Sequence, residues 1–268
     1  MKILFHKYSS TGNDFILLDN RNKKYDFIQS SIIENLCHRR FGIGADGVIF
    51  LEKSAKVDYL MRFFNADGSA ANFCGNGARA ITHFANSLQE DISINRYTFE
   101  INDRLFKSEI LGDEVIVEMP VICDLNKINL KEFGPFLGSL YVDTGVPHAV
   151  FITDAVFYDY DLKSLYKNMN KNHKLFPHGV NVSVMEVMDD GFIALRTQER
   201  GVEDETYSCG TAAVAAAILA CQFGGFHEEI NIQVKGGKLK ILLDKDFKKI
   251  KLCGKTEKIF CGEIEVIG

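Results

Sequence analysis

The sequence repeats itself at a spacing close to half its length, and this constrains the fold more than any other feature. "TGNDFILLD" begins at Thr11 and "TGVPHAVFITD" at Thr144, an offset of 144 − 11 = 133. "GADGVIFLE" from Gly44 and "GVNVSVMEV" from Gly179 lie 179 − 44 = 135 apart. "FCGNGARAITHFA" and "SCGTAAVAAAILA" bring Cys74 and Cys209 into register, again at 209 − 74 = 135. Half of 268 residues is 134. Three matched segments in the same order at one spacing point to a duplicated unit. The period is far too long for a solenoid, so two similar domains facing each other are expected.

Each half carries the same kind of elements. "KILFHKYS" and "DFILLDNR", separated by Gly and Asn, read as a strand hairpin. "QSSIIENLCHRR" has helical spacing, a basic end and Gly42 as its stop, and "GARAITHFANSLQE" reads as a second helix. Short strands fill the rest of the first half, up to "EVIVEMP". The second half shows more strands, a helix near 161–170 and another over 210–223. Many strands with about two helices per half predict an α+β fold of two pseudo-symmetric domains rather than a doubly wound parallel sheet. Pro120 follows the last strand of the first half. The expected domains are 1–118 plus 262–268, with "GEIEVIG" crossing back, and 119–261.

Composition narrows the function classes. The net charge of −5 offers no basic field for a nucleic acid. No apolar run approaches the roughly 18 residues that span a bilayer, and the apolar segment after Met1 is too short for a signal peptide. Neither a nucleic acid nor a membrane partner is expected. The seven cysteines are odd in number and scattered, with no CxxC pair, which argues against a zinc ribbon or a thioredoxin motif and fits a reducing, cytoplasmic compartment. The histidines show no metal-ligand spacing. Gly42-Ile43-Gly44-Ala45-Asp46-Gly47 matches G-x-G-x-x-G, but it follows a helix and opens a strand, the reverse of a dinucleotide site. "KGGKLK" at 235–240 reads as a turn between strands.

Cys74 and Cys209 each precede a glycine and a small-residue helix. A thiol at a helix N-terminus has a lowered pKa and can serve as base or nucleophile. One such cysteine alone reads more readily as a buried thiol; two at equivalent repeat positions point to function. A thiolate removing a proton from carbon and a thiol returning one to the opposite face would together racemise or epimerise a substrate. Helix N-terminal N–H groups beside them would hold the substrate carboxylate and the charge that develops as the proton leaves.

"ADGSAANFCGNGARA", "TGNDF", "QERG" and "SCGTA" together resemble the diaminopimelate epimerase family, within a wider class of cofactor-independent racemases and isomerases, and the resemblance runs along the whole chain. It implies two domains, each a mostly antiparallel sheet or barrel wrapped around a central helix. It implies epimerisation of LL-2,6-diaminopimelate to the meso form, in lysine and peptidoglycan precursor biosynthesis, with no cofactor, by a homodimer. Cys74 and Cys209 would be the acid–base pair. Asn13 and Glu199 would lie by the reacting amino acid end. Backbone at Gly75-Asn76 and Gly210-Thr211 would hold the reacting carboxylate, and Asn65, Asn181 and Arg200 the distal end. His148 would tune a thiol or the substrate amine, or be a satisfied hydrogen-bonding histidine.

Three positions depart from the family's usual pattern. Val146 stands where "GNPH" carries an asparagine, Gly47 where many relatives carry glutamine, and Ala80 where a second cysteine is common. The first two leave room for a racemase of the same fold acting on another amino acid. A reading from another class, a non-catalytic amino acid-binding or thiol-redox protein, would hold if Cys74 and Cys209 formed a disulfide, which needs Cα atoms within about 7 Å.

Overall fold

The computed structural model describes residues 1–71, 73–89, 91, 93–120, 122–125, 127–153, 157–226 and 228–266. Asn72 of "NFCGNG", Glu90 at the expected end of the second helix, Asp154 after "HAVFIT" and the final 267–268 lie outside the described residues. In chain order the elements begin with β1 (Lys2–Ser10), β2 (Asn13–Asp19), α1 (Ser30–Cys37), β3 (Gly47–Glu52) and β4 (Tyr59–Asn65). Next come α2 (Gly75–Ser87), β5 (Arg96–Ile101), β6 (Arg104–Leu111), β7 (Glu114–Glu118), β8 (Gly138–Asp143) and β9 (Pro147–Ile152). They continue with α3 (Leu162–Asn170), β10 (Asn181–Val187), β11 (Ile193–Glu199), the short β12 (Asp204–Glu205) and α4 (Gly210–Phe223). The chain ends in β13 (Glu229–Val234), β14 (Gly237–Leu243), β15 (Ile250–Lys255) and β16 (Glu257–Glu265). The mix is α+β.

The chain forms two compact units, Met1–Val117 with Gly254–Gly268, and Glu118–Cys253. Residues 254–261 therefore lie with the first unit, not the second as the sequence boundary had them. The reason is register: β16 pairs antiparallel with β1 from Glu257 opposite Ser9 to Glu265 opposite Lys2, so the crossing strand is complete well before position 262.

The first unit is a sheet in the order β16-β1-β2-β3-β4-β5-β6-β7, antiparallel except for β2–β3 and β4–β5. The second runs β14-β13-β11-β10-β9-β8, with parallel pairs at β11–β13 and β10–β9. Each sheet wraps a helix. In α2 all residues from Gly75 to Thr82 are buried, in a core with Tyr8, Phe15, Ile49, Tyr59 and Phe99. In α4 the run Ala212 to Ala220 is buried, and its alanines let strands approach closely on every side. A helix apolar all round needs this kind of enclosure.

α1 is shorter than expected. It stops at Cys37, and the Gly42, Ile43 and Gly44 N–H groups turn back to the carbonyls of His38 and Leu36. A Cβ at Gly42 would sit 2.0 Å from the Asn35 carbonyl oxygen, so only glycine permits this return.

Candidate active site

Cys74 is the N-cap residue of α2, at φ −142° and ψ 113°, and Cys209 is that of α4, at φ −128° and ψ 111°. The two halves thus give their cysteines nearly the same backbone, with extended geometry before a first turn whose N–H groups have no intrahelical partner. Cys74 is half-buried, and its Sγ accepts the Gly77 N–H at 3.3 Å. Cys209 is 8% exposed.

In the first unit, three expected site residues meet. The Asn13 Oδ1 accepts the Asn76 side-chain amide at 3.2 Å and the Cys74 thiol at 3.8 Å. Asn13 in turn donates through Nδ2 to Asp46 Oδ2 at 2.6 Å. Asn76 Oδ1 receives Arg79 Nη2 at 2.9 Å, and the same nitrogen reaches Thr11 Oγ1 at 2.8 Å. Asn65 is exposed at the end of β4, across from Gly47, and its amide goes to Ser69 Oγ at 3.0 Å.

In the second unit a different group gathers. His148 Nε2 lies 2.9 Å from Thr211 Oγ1 and 3.5 Å from Asn181 Nδ2. Thr211 Oγ1 lies 3.3 Å from Cys209 Sγ. Asn181 Oδ1 accepts the Arg200 backbone N–H at 3.0 Å. Glu199 is hydrogen-bonded to the Cys209 thiol and accepts the Thr206 hydroxyl at 2.7 Å. Burial, and then the negative charge of Glu199, push the Cys209 pKa well above the ordinary thiol value, so this cysteine rests protonated. His148 is wholly buried, and burial followed by the nearby Arg200 charge lowers it to about 3. It is a neutral hydrogen-bonding ring at any physiological pH, tied to the thiol through Thr211.

Arg200 hydrogen-bonds the His178 carbonyl oxygen through its guanidinium and lines a cavity of about 570 Å³ with Tyr166, His173, His178 and Glu203. A guanidinium has five N–H donors, so one such bond leaves others for a carboxylate. Among the described residues no cluster of three or more His, Cys, Asp or Glu side chains could hold a metal ion, and no helix is long and apolar enough to cross a membrane.

Asp46 and Arg79 had drawn no functional reading from the sequence. A signal for Asp46 was present, since 46 + 135 = 181 makes it the repeat partner of Asn181. Arg79, fully buried, is a charge inside "GNGARA", where every neighbour is small or apolar.

The chain matches the family model for diaminopimelate epimerase over residues 5–119 and 140–259. It is 36% identical over 259 residues to a diaminopimelate epimerase of Flavobacterium psychrophilum, covering 95% of this chain and 97% of the other. It is 34% identical to that of Chlorobaculum tepidum, over 96% and 99% of the two. Among solved structures it resembles a phenazine biosynthesis protein of the PhzF family from Bacillus anthracis, with a TM-score of 0.75 at 14% identity over 99% and 100% of the two chains. It also resembles a hydroxyproline epimerase from Agrobacterium vitis, with a TM-score of 0.70 at 12% identity over 98% and 92%. These likenesses between structures establish the shared fold.

Proposed function

The chain belongs to the diaminopimelate epimerase family, and we propose that it interconverts the LL and meso forms of 2,6-diaminopimelate by taking the α-proton onto one thiolate and adding a proton from a second thiol to the opposite face. The observation that carries this reading is the matched pair of N-cap cysteines, with the same backbone geometry at equivalent repeat positions. One cysteine takes the α-proton and the other supplies a proton to the opposite face of the carbon. The reaction as proposed uses no pyridoxal phosphate, metal or nucleotide.

The residues divide the work as follows. First-turn N–H groups at Gly75-Asn76 and Gly210-Thr211 hold the reacting carboxylate and oppose the negative charge that develops as the proton leaves. Asn13 and Glu199 border the reacting centre. Glu199 can take the Cys209 proton when that thiol must act as base, and return it afterwards. Asn65, Asn181 and Arg200 serve the distal ammonium and carboxylate. His148 keeps Thr211 oriented towards the Cys209 sulfur. We place the enzyme in the cytoplasm, in lysine and peptidoglycan precursor synthesis, as a homodimer.

The test is hydrogen exchange at the substrate α-carbon in deuterated water. Cys74→Ala and Cys209→Ala should each lower epimerisation by at least about a thousandfold. Exchange that continued unchanged in both variants would overturn the reading. A panel of diaminopimelate, glutamate, lysine, histidine and proline fixes the substrate; a dominant rate on any monocarboxylate would transfer the chemistry to another amino acid.

A further inference from the structure

The first half of the site contains a hydrogen-bonded chain with a charge at each end. Arg79 Nη2 donates to Asn76 Oδ1 (2.9 Å), Asn76 Nδ2 donates to Asn13 Oδ1 (3.2 Å), and Asn13 Nδ2 donates to Asp46 Oδ2 (2.6 Å). A guanidinium can only donate and an ionised carboxylate can only accept. The two ends therefore dictate how both amides are turned. Arg79 requires the oxygen of Asn76 and so sends its NH₂ towards Asn13. Asp46 requires the NH₂ of Asn13 and so sends its oxygen back. The two demands agree, and the Asn13 oxygen is left facing Cys74 Sγ at 3.8 Å.

Neither end is held by this chain alone. Arg79 is fully buried and also donates to Thr11 Oγ1 at 2.8 Å. Asp46 is gripped by Arg39 at 2.6 Å, from the segment after α1, and accepts the Asp14 backbone N–H at 3.2 Å. Arg39 also bonds Asp14, which is paired at 2.6 Å with the buried Lys7 of β1. Two cations, Arg39 and Lys7, and the Asp14 carboxylate thus hold the Asp46 end, from the segment after α1, from β1 and from β2.

We propose that Asp46 and Arg79 are positioning residues which fix the amide of Asn13 so that it offers an oxygen, and never an N–H, to the thiol of Cys74. The role rests on the reading of Cys74 as one of the two acid–base groups. An acceptor facing the sulfur stabilises the thiol form and aims its proton; an N–H turned to the same place would stabilise the thiolate instead. Asp46 touches neither sulfur nor substrate in this role. It acts through Asn13.

The test follows the alkylation of Cys74 by iodoacetamide against pH, read by mass spectrometry of its peptide in the full-length protein. Asp46→Asn replaces the acceptor-only end with an amide that can also donate, and leaves the 3.2 Å bond from Asn76 as the one remaining tie that requires the Asn13 oxygen, so that the Asn13 amide can turn more readily. The Cys74 alkylation rate at pH 7 should then rise about tenfold, equivalent to a pKa about one unit lower, while Asp46→Glu should stay within about twofold of the native rate. Losing a negative charge near the thiol would also raise the rate, so the deciding comparison is made in Asn13→Ala. There Asp46→Asn should change the rate by less than about twofold, because the intermediary is gone. An equal rise with and without Asn13 would mean that Asp46 acts as a bare charge, and no rise in Asp46→Asn would mean that it does not act on Cys74; either overturns the proposal. Alkylation needs no turnover, so an inactive native protein would undo the proposed reaction and leave this comparison standing.

Discussion

The two halves hold their cysteines on the same backbone and surround them with different chemistry. Around Cys74 the links are Arg79, Asn76, Asn13 and Asp46. The repeat replaces them in turn by Val214 (79 + 135), Thr211 (76 + 135), Val146 (13 + 133) and Asn181 (46 + 135). The middle link is lost at Val146, in the turn before β9, and His148, two residues further on in β9, supplies it. One half therefore has a chain with charged ends and the other a neutral one, Thr211–His148–Asn181, with a carboxylate applied to the sulfur from Glu199. Duplication preserved what the backbone does, which is to end a strand segment at a cysteine and begin a helix there. It did not preserve the side chains that surround each thiol. In the proposed reaction the two thiols need not be equal, because each would serve as acid in one direction and as base in the other.

The strongest way to break the comparison is Glu199→Gln. The amide keeps a similar shape and cannot take a proton. The epimerisation kcat should fall about a hundredfold to a thousandfold, while the Cys209 thiol, relieved of a neighbouring negative charge, should become more readily alkylated at neutral pH. A thiol that grows more nucleophilic as the enzyme slows would separate proton transfer from simple electrostatics. Faster alkylation with undiminished kcat would remove Glu199 from the mechanism.

His148 gives the next largest effect, through stability. Its folded-state pKa of about 3 lies below the ordinary 6.5, so the unfolded chain binds a proton that the folded one refuses. Stability is fully present above pH 6.5 and is lost as pH falls towards 3, with a loss of about 3 kcal/mol by pH 4 from this ring alone. His148→Gln should unfold more easily than the native protein at pH 7.5, and the gap between the two should shrink on acidification. Urea melts at pH 7.5, 5.5 and 4.5 measure it. A gap that is constant with pH would mean that the ring is not held neutral.

The duplication, the α+β class and both cysteine-capped helices were legible because they are written in local sequence, as repeat offsets, apolar periodicity and a Cys-Gly preceding small residues. α4 runs over the residues the pattern gave it, Gly210–Phe223. The end of α1 was not legible, since it depends on the backbone of Gly42 passing close to Asn35, a contact with no periodic signature. The same limit hid Arg79, and left Asp46 marked only by its repeat partner Asn181. A charged side chain in a loop and a lone arginine in a helix look like solvated surface until the fold brings them to opposite ends of one chain of amides. Gly47 is a similar case: it departs from the family's frequent glutamine for a reason that lies in the partner strand.

That reason yields the third effect. A Cβ at Gly47 would lie 2.5 Å from the Phe64 carbonyl oxygen and 2.6 Å from the Phe63 ring. Its repeat partner Val182 (47 + 135) is a fully buried side chain in the corresponding strand, so only the first half has given up the space. Gly47→Gln should cost about 2 kcal/mol through overpacking, with only the part due to the ring recovered in a Phe63→Ala background, because the Phe64 carbonyl oxygen at 2.5 Å stays in place. Thermal melts of the single and double variants decide this, and simple additivity would show that the ring is not the obstacle.

Val146 tests the comparison most gently. It occupies the position of Asn13 in the second half, and Asn13 is the residue on which three side chains converge in the first. Val146 is half-buried, follows Gly145 at φ 109°, and accepts the Thr144 N–H through its carbonyl at 3.2 Å, a backbone role that asparagine would keep. Valine is also stiff and offers no donor, so under the proposed function the second half would have one amide fewer for the distal end of the substrate than the family's usual pattern. Val146→Asn adds that donor. A single hydrogen bond to a charged carboxylate contributes about 1.5 kcal/mol, so KM for diaminopimelate should fall about tenfold with kcat unchanged, because the bond is equal in ground and transition states. A fall in kcat instead would place position 146 beside the reacting carbon and make it a true counterpart of Asn13; no change in either constant would show that the second half recognises the substrate without it.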